Sequence, residues 1–307
     1  MRTFDVRREL ADSEREQVDR LLHDAWRADG VRPLNDHMWL DLREGGRRGH
    51  ACVIARDAEH DHIIGYCQLS RGNDSWLLDL VIHPHHRYDI AEIGPGLISA
   101  ATGVIADDGG GHVHWWVFEA NNAHTALAHG AGLSPNRRLV QMRRTLPLED
   151  HHLALAEGLP TEPFRPGTDE DEWLTVNNAA FATHPEQGGW TRATIDSRKT
   201  EEWFDPQGFL LHRTDGRIDG FCWTKMHRTE EGAVGEIYAV AVAPSAASRG
   251  LGRKLTVAGL RHLTAAGAGT AMLYVDADNA PATAVYDRLG FVVHHSERAF
   301  TGDIAPS

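Results

Sequence analysis

The sequence predicts an α/β protein made of two similar halves, each a mixed, mostly antiparallel sheet flanked by helices. Three observations carry this. Apolar, strand-like runs end at Pro84 and at Pro244, and a loop and a helix follow each proline. Both halves repeat one order: helix, antiparallel strands, a strand into a loop and helix, strand, helix, strand. A stretch rich in charge, Gly and Pro lies between them, so we expect an N-terminal domain over 1–147, a linker over 148–168 and a C-terminal domain over 169–307. A chain of 307 residues has room for two ordinary domains.

In the first half, "EREQVDRLLHDAWRAD" over 14–29 predicts a helix capped by Ser13 and stopped at Gly30. "GHACVIARD", "IIGYCQLS" and "SWLLDLVIHP" read as strands. A helix over 95–107, the strand "HVHWWVFEA", the helical "NNAHTALAHGAGL" and the strand "RRLVQMRRTL" complete it. The second half opens with Thr168 and Asp171 spaced as a capping box, and a second helix spans roughly 191–203. "GFLLHR" and "IDGFCWTKMH" flank Asp215-Gly216, a hairpin signal. Then come the strand "GEIYAVAVAP", a helix from near Arg249, the strand "AMLYVDADN", the helix "APATAVYDRLG" and the strand "FVVHHSERAF".

Composition narrows the function. A net charge of −13 argues against nucleic acid as a partner, because phosphate binding needs a basic surface. No apolar run in the sequence approaches the roughly 20 residues of a membrane span. The start "MRTFDVRREL" lacks a signal-peptide core, so a cytoplasmic location is the expectation; a monomer without membrane contact is expected as well. Cys52, Cys67 and Cys222 are scattered and odd in number, which fits reduced structural thiols. His83, His85 and His86 adjoin no carboxylate or cysteine ligand set, so no metal site is expected.

The densest chemistry sits in "VAVAPSAASRGLGRKL" over 240–255. A strand feeding a glycine-bearing loop into a helix presents free backbone N–H groups and a positive dipole end to an anion. Gly250 and Gly252 allow close approach, and Arg249 and Arg253 add charge. The bland alternative is a helix that starts on glycines for packing. Downstream, "LYVDADNAPATAVYDRLGF" places an Asn at a strand end, a helix of small residues, then Tyr before "RLGF".

With these two blocks the chain resembles the GNAT acetyltransferase superfamily. The resemblance implies that Val240, Ala241, Val242, Ala247, Ser248, Arg249, Gly250, Leu251, Gly252 and Arg253 bind acetyl-CoA, the loop holding its diphosphate. It implies that Asn279, Ala280, Ala282, Thr283 and Ala284 line the pantetheine end. Ala247 departs from the family's Q/R at that position and removes a side chain that often supports the loop. "FATHPEQGGWT", "EEWFDPQGFLL" and "GFCWTKMH" sharpen the likeness to the mycothiol synthase family across nearly the whole chain. That likeness implies acetyl transfer to the cysteinyl amine of 1-D-myo-inositol 2-(L-cysteinylamido)-2-deoxy-glucopyranoside. It places Asp36, Glu186, Lys225, Glu236 and Tyr274 around this small-molecule amine. The alternatives are a tandem acetyltransferase for another amine and an acetyl-CoA-binding regulator without turnover.

Amine acetylation needs a base, donors for the oxyanion and an acid for the departing thiolate. Glu236, eight residues before Pro244, suits the base, and Tyr286 suits the acid. The backbone N–H of Val242 suits the acetyl carbonyl. Alone, Glu236 could equally be a solvated strand residue and Tyr286 a core residue; the family likeness gives them the two catalytic roles. In the first half, alignment on Pro84 puts Trp76 where Glu236 stands, and alignment of "GAGL" with "RLGF" puts Ala128 where Tyr286 stands. Its loop, "HHRYDIAEIGPG", reads as two residues longer with Glu92 at the first glycine position. That half is expected to be catalytically silent.

Overall fold

The computed structural model describes residues 2–34, 38–39, 41–42, 49–57, 62–72, 75–182, 187–229, 232–246 and 250–307. The chain forms two compact units, one of residues 1–139 with 296–307 and one of residues 140–295.

The first unit holds β1 (Arg2–Arg7), α1 (Asp12–Asp29), β2 (His50–Asp57), β3 (His62–Arg71), β4 (Ser75–Ile82), α2 (Ile90–Asp107), β5 (Gly111–Phe118) and α3 (Asn122–Gly130). β1 to β4 pair antiparallel in sequence order, and β4 runs parallel to β5. Helices cover both faces, which is why β2 and β3 are apolar along their length rather than alternating. Ala51, Val53 and Ala55 pack with Ile93 and Leu97 of α2, while Cys52 and Ile54 pack with Val18 and Leu21 of α1.

The second unit contains β7 (Glu162–Pro163), α4 (Glu170–Ala180), α5 (Arg192–Lys199), β8 (Phe209–Thr214), β9 (Arg217–Thr229), β10 (Gly232–Val242), α6 (Leu251–Ala265), β11 (Thr270–Asp276) and α7 (Ala280–Arg288). Its strand order is β11-β10-β9-β8-β7. On one face Trp173 of α4 sits edge-on to Phe209, Phe221 and Trp223, and Trp190 joins them as a core anchor. On the other face α6 lies close enough that a Cβ at Gly259 would stand 2.4 Å from Cys222 Sγ. Asp215 and Gly216, at φ 51° and 79°, form the expected tight turn between β8 and β9.

Two strands carry the chain between units. β6 (Ser134–Thr145) and β12 (Val292–Ile304) each change unit part-way along their length. In the first unit β12 pairs antiparallel with β5 from Glu297 opposite Phe118 to Ile304 opposite Gly111, and buried Phe300 packs 5.5 Å from Trp115. In the second unit β6 neighbours β11. Each unit thus takes its closing strand from the other half of the sequence.

This division differs from the expected one. The boundary falls at 139/140 rather than 147, and residues 296–307 belong with the first unit. Residues 148–168 are not a free linker: Leu148, Ala156 and Phe164 are buried in the second unit's core, where Phe164 stacks on Phe209. Several boundaries also move. Ala11, not Ser13, is the N-cap of α1, with Glu14 reaching back to the Ala11 amide. Asp169, not Thr168, precedes α4, and its carboxylate binds Arg165 and Arg213 rather than capping. α2 starts at Ile90 and carries Pro95 inside it, so the loop after Pro84 is not lengthened. The segment Pro84–Asp107 is long and apolar enough to span a membrane, contrary to the reading of the sequence. Its Ile93, Leu97, Ile98, Ala101 and Ile105 are buried in the first unit's core.

Candidate active site

The site is built where two parallel strands part. β10 is in register with β11 only from Val234 opposite Thr270 to Glu236 opposite Met272. Beyond that pair the strands diverge, while β10 stays paired with β9 to Val242 opposite Gly220. A bulge at Tyr238 interrupts the β9 ladder just after Glu236 and re-aims the strand. Glu236 therefore stands mid-strand at the vertex, not at the strand's start.

The peptide groups along the open edge follow from alternation. Ala243 donates its amide to Asp219 O at 2.8 Å, on the β9 side. Ala241 O also faces β9, since a Cβ at Gly220 would meet it at 2.8 Å. The peptide groups of Val240 and Val242 thus turn to the other edge, into the opening. Of the three β10 residues singled out from sequence, Val240 and Val242 present backbone to the cleft and Ala241 does not.

β10 leads through a turn at Pro244–Ala246 towards α6. Ala247, Ser248 and Arg249 lie outside the described residues. Gly250 has φ 68°, the left-handed region that suits glycine, and no side chain caps the helix it precedes. The first-turn amides of Leu251, Gly252 and Arg253 are those an α-helix leaves without internal partners. Leu251 itself is buried, so only its backbone can serve a ligand. A Cβ at Gly252 would meet only Val242 Cγ2, at 3.7 Å, so the approach there is open. Arg253 Nε is buried without a hydrogen-bond partner among the described residues. Uncapped amides, an unsatisfied guanidinium nitrogen and an open peptide edge together suit a ligand with an anionic group and an extended amide-bearing arm.

α7 follows β11 in the chain. Asn279 caps it, its side chain accepting from the Ala282 amide at 3.2 Å. Ala280, Ala282, Thr283 and Ala284 form its first turns. Tyr286 follows on the buried side, its ring 5.9 Å from Phe291, and burial pushes its hydroxyl up to about 12.

Around Glu236 the structure adds residues that sequence reasoning missed. His227 Nε2 is 2.6 Å from Glu236 Oε2. Lys225 stands opposite Glu236 in the β9 ladder, but its ammonium lies over the Trp203 ring at 4.6 Å and near Tyr238 at 6.0 Å. The two-residue period of β9 puts His227 on the Lys225 face; only the register of β10 reveals its partner. Tyr274 on β11 is half-exposed and accepts a hydrogen bond from Gln141 Nε2 at 2.7 Å. Asp36 and Glu186 lie outside the described residues. All three cysteines are buried, and burial raises Cys52 and Cys222 to about 12 and Cys67 as well.

The first unit keeps the parting strands with other side chains around them. β4 and β5 are in register from Ser75 opposite His112 to Leu78 opposite Trp115. Its β3–β4 ladder has no bulge, so counting pairs back from the proline puts Leu77, opposite Ser70, where Glu236 stands opposite Lys225. Trp76, the match by sequence alignment, faces α2 and donates Nε1–H to Gly110 O at 3.2 Å. Neither residue can take a proton. Ala128 is buried on α3. Glu92 is the third residue of α2, as Arg253 is of α6, and it pairs with Arg2. Arg87 is engaged by Asp29 at 2.6 and 2.7 Å.

Comparison with known proteins agrees with this geometry. Residues 173–291 match the acetyltransferase (GNAT) family. A GCN5-related N-acetyltransferase from Sphaerobacter thermophilus superposes with a TM-score of 0.71 at 23% identity, covering 99% of this chain and 96% of that one. A tandem GNAT protein from the clavulanic acid biosynthesis pathway gives 0.63 at 18%, over all of both chains. Both share the fold. The mycothiol acetyltransferase of Acidimicrobium ferrooxidans is 42% identical over 281 residues, covering 90% of each chain. That of Streptomyces avermitilis is 41% identical over 303 residues, covering 96% of this chain and 94% of its own. With this identity sustained along both halves, the chain belongs to the mycothiol acetyltransferase family of GNAT acetyltransferases.

Proposed function

We propose that the protein transfers acetyl from acetyl-CoA to the cysteinyl amine of 1-D-myo-inositol 2-(L-cysteinylamido)-2-deoxy-glucopyranoside, and that the second unit performs the chemistry. The observation that carries this is a carboxylate, Glu236, at the vertex of a strand opening whose far end meets an uncapped helix N-terminus. The diphosphate of acetyl-CoA would lie on the α6 amides beside Arg253. Its pantetheine arm would follow the peptide edge of Val240 and Val242, against Asn279 and the small residues of α7.

An α-amino group with pKa of about 7.7–8.0 is partly protonated at neutral pH, so it must lose a proton to attack. Glu236 takes that proton, directly or through one water. The Val242 amide donates to the carbonyl oxygen as it gains charge. The C–S bond then breaks and Tyr286, whose burial keeps its proton on, protonates the departing thiolate. Buried thiols whose ionisation is pushed up are poor nucleophiles, so direct transfer is favoured over an acetyl-cysteine intermediate. Lys225 and Tyr274, like Asp36 and Glu186, belong to this reading as substrate contacts by family likeness. The first unit, with Leu77 and Ala128 at the reacting positions, is the silent partner.

Product analysis tests the substrate. Incubation with acetyl-CoA and the cysteinyl amine should yield the N-acetylated product by mass spectrometry. Turnover of unrelated amines without it would redirect the assignment.

A further inference from the structure

One oxygen of Glu236 is already engaged. His227 Nε2 lies 2.6 Å from Oε2, and a carboxylate offers only lone pairs, so the imidazole nitrogen carries the proton and donates it. The contact is built into the sheet. Lys225 pairs across the ladder with Glu236, and His227, two residues on, is the diagonal neighbour on the same face. Lys225, the nearby cation, is turned onto Trp203 instead. The Glu236 side chain is 11% exposed and that of His227 31%, so the imidazole both covers the carboxylate and reaches water.

We propose that His227 is a positioning residue: its Nε2–H fixes Oε2 of Glu236 and leaves Oε1 as the oxygen that takes the amine's proton. The inference rests on the reading of Glu236 as the base.

The test uses the full-length protein with acetyl-CoA saturating. His227→Gln keeps an N–H donor, and His227→Ala removes it. His227→Ala should lower kcat about 10–100-fold, a part of what general base catalysis supplies, with the KM for acetyl-CoA unchanged. His227→Gln should recover most of that loss. A parent-like His227→Ala, or a His227→Gln as slow as His227→Ala, overturns the proposal. Glu236→Gln separates the two layers. If it retains full turnover the base reading itself fails; if it is inactive while His227→Ala turns over at the parent's rate, only the role of His227 fails. Nitrogen-15 NMR of the unmutated protein gives a readout independent of turnover. A neutral imidazole protonated at Nε2 supports the contact, and one protonated at Nδ1 contradicts it.

Discussion

Glu236 is the last residue of β10 in register with β11, opposite Met272. The ladder that ends there holds the carboxylate's backbone rigidly, and the divergence beyond it leaves room for a ligand arm. The same parting occurs in the first unit beyond Leu78 and Trp115. The opening is therefore a property of the fold, and what differs between the units is the side chains around it.

Tyr286 is expected to act only as a proton donor. Tyr286→Phe should lower kcat about 10–100-fold, within the range for a lost general acid, with acetyl-CoA affinity little changed in a binding titration. Its folded-state pKa of about 12 lies above the ordinary value of about 10. The neutral form is thus the one the fold favours. The associated stability is complete below about pH 10 and is lost as pH rises through 12. Parent activity should show no decline from this group up to about pH 10. A lower-lying alkaline limb that vanishes in Tyr286→Phe would contradict the assignment.

The proposed role of Arg253 is in binding rather than chemistry. Arg253→Ala removes a charge from the α6 anion site and should raise the KM for acetyl-CoA about tenfold with kcat held, the pattern of lost uniform binding. The effect should shrink as salt is added. A fall in kcat at constant KM would move Arg253 into the transition state.

The first unit is completed by the last strand of the chain. Phe300, wholly buried against Trp115, comes from the end of the chain yet belongs to the first unit's core. Phe300→Ala should cost about 3–5 kcal/mol in denaturant unfolding of that unit. A chain ending at 295 would leave the β5 edge uncovered and should aggregate. Soluble, cooperatively folding fragments cut at 147 would show that the exchange is dispensable.

The sequence made the elements and the repeat legible because both leave local marks. Strands end at Pro84 and Pro244, Gly30 stops a helix, and Asp215-Gly216 forces a turn. The exchange of strands left no such mark, because β6 and β12 look alike as strands and a pairing as remote in sequence as Glu297 with Phe118 is decided by packing. Residues 148–168 read as a linker from their charge, Gly and Pro, although Leu148 and Phe164 within them are core. Glu236 and Tyr286 stood out through family spacing. His227 did not, since its meaning depends on the register of β9 against β10. The bulge at Tyr238 likewise shifted the first-unit counterpart of Glu236 from Trp76 to Leu77, one residue that alignment by letters could not detect.

The most direct test of the account is the single-turnover rate of Glu236→Gln with bound acetyl-CoA and the cysteinyl amine at pH 7. The substitution keeps the side chain's size and hydrogen-bonding reach but abolishes its basicity. The account predicts unchanged acetyl-CoA affinity and acetyl transfer slowed at least about 100-fold, the lower bound for a lost general base, with partial recovery as pH rises and the free amine accumulates. Transfer at the parent's rate would contradict it, and would place the base elsewhere in the molecule.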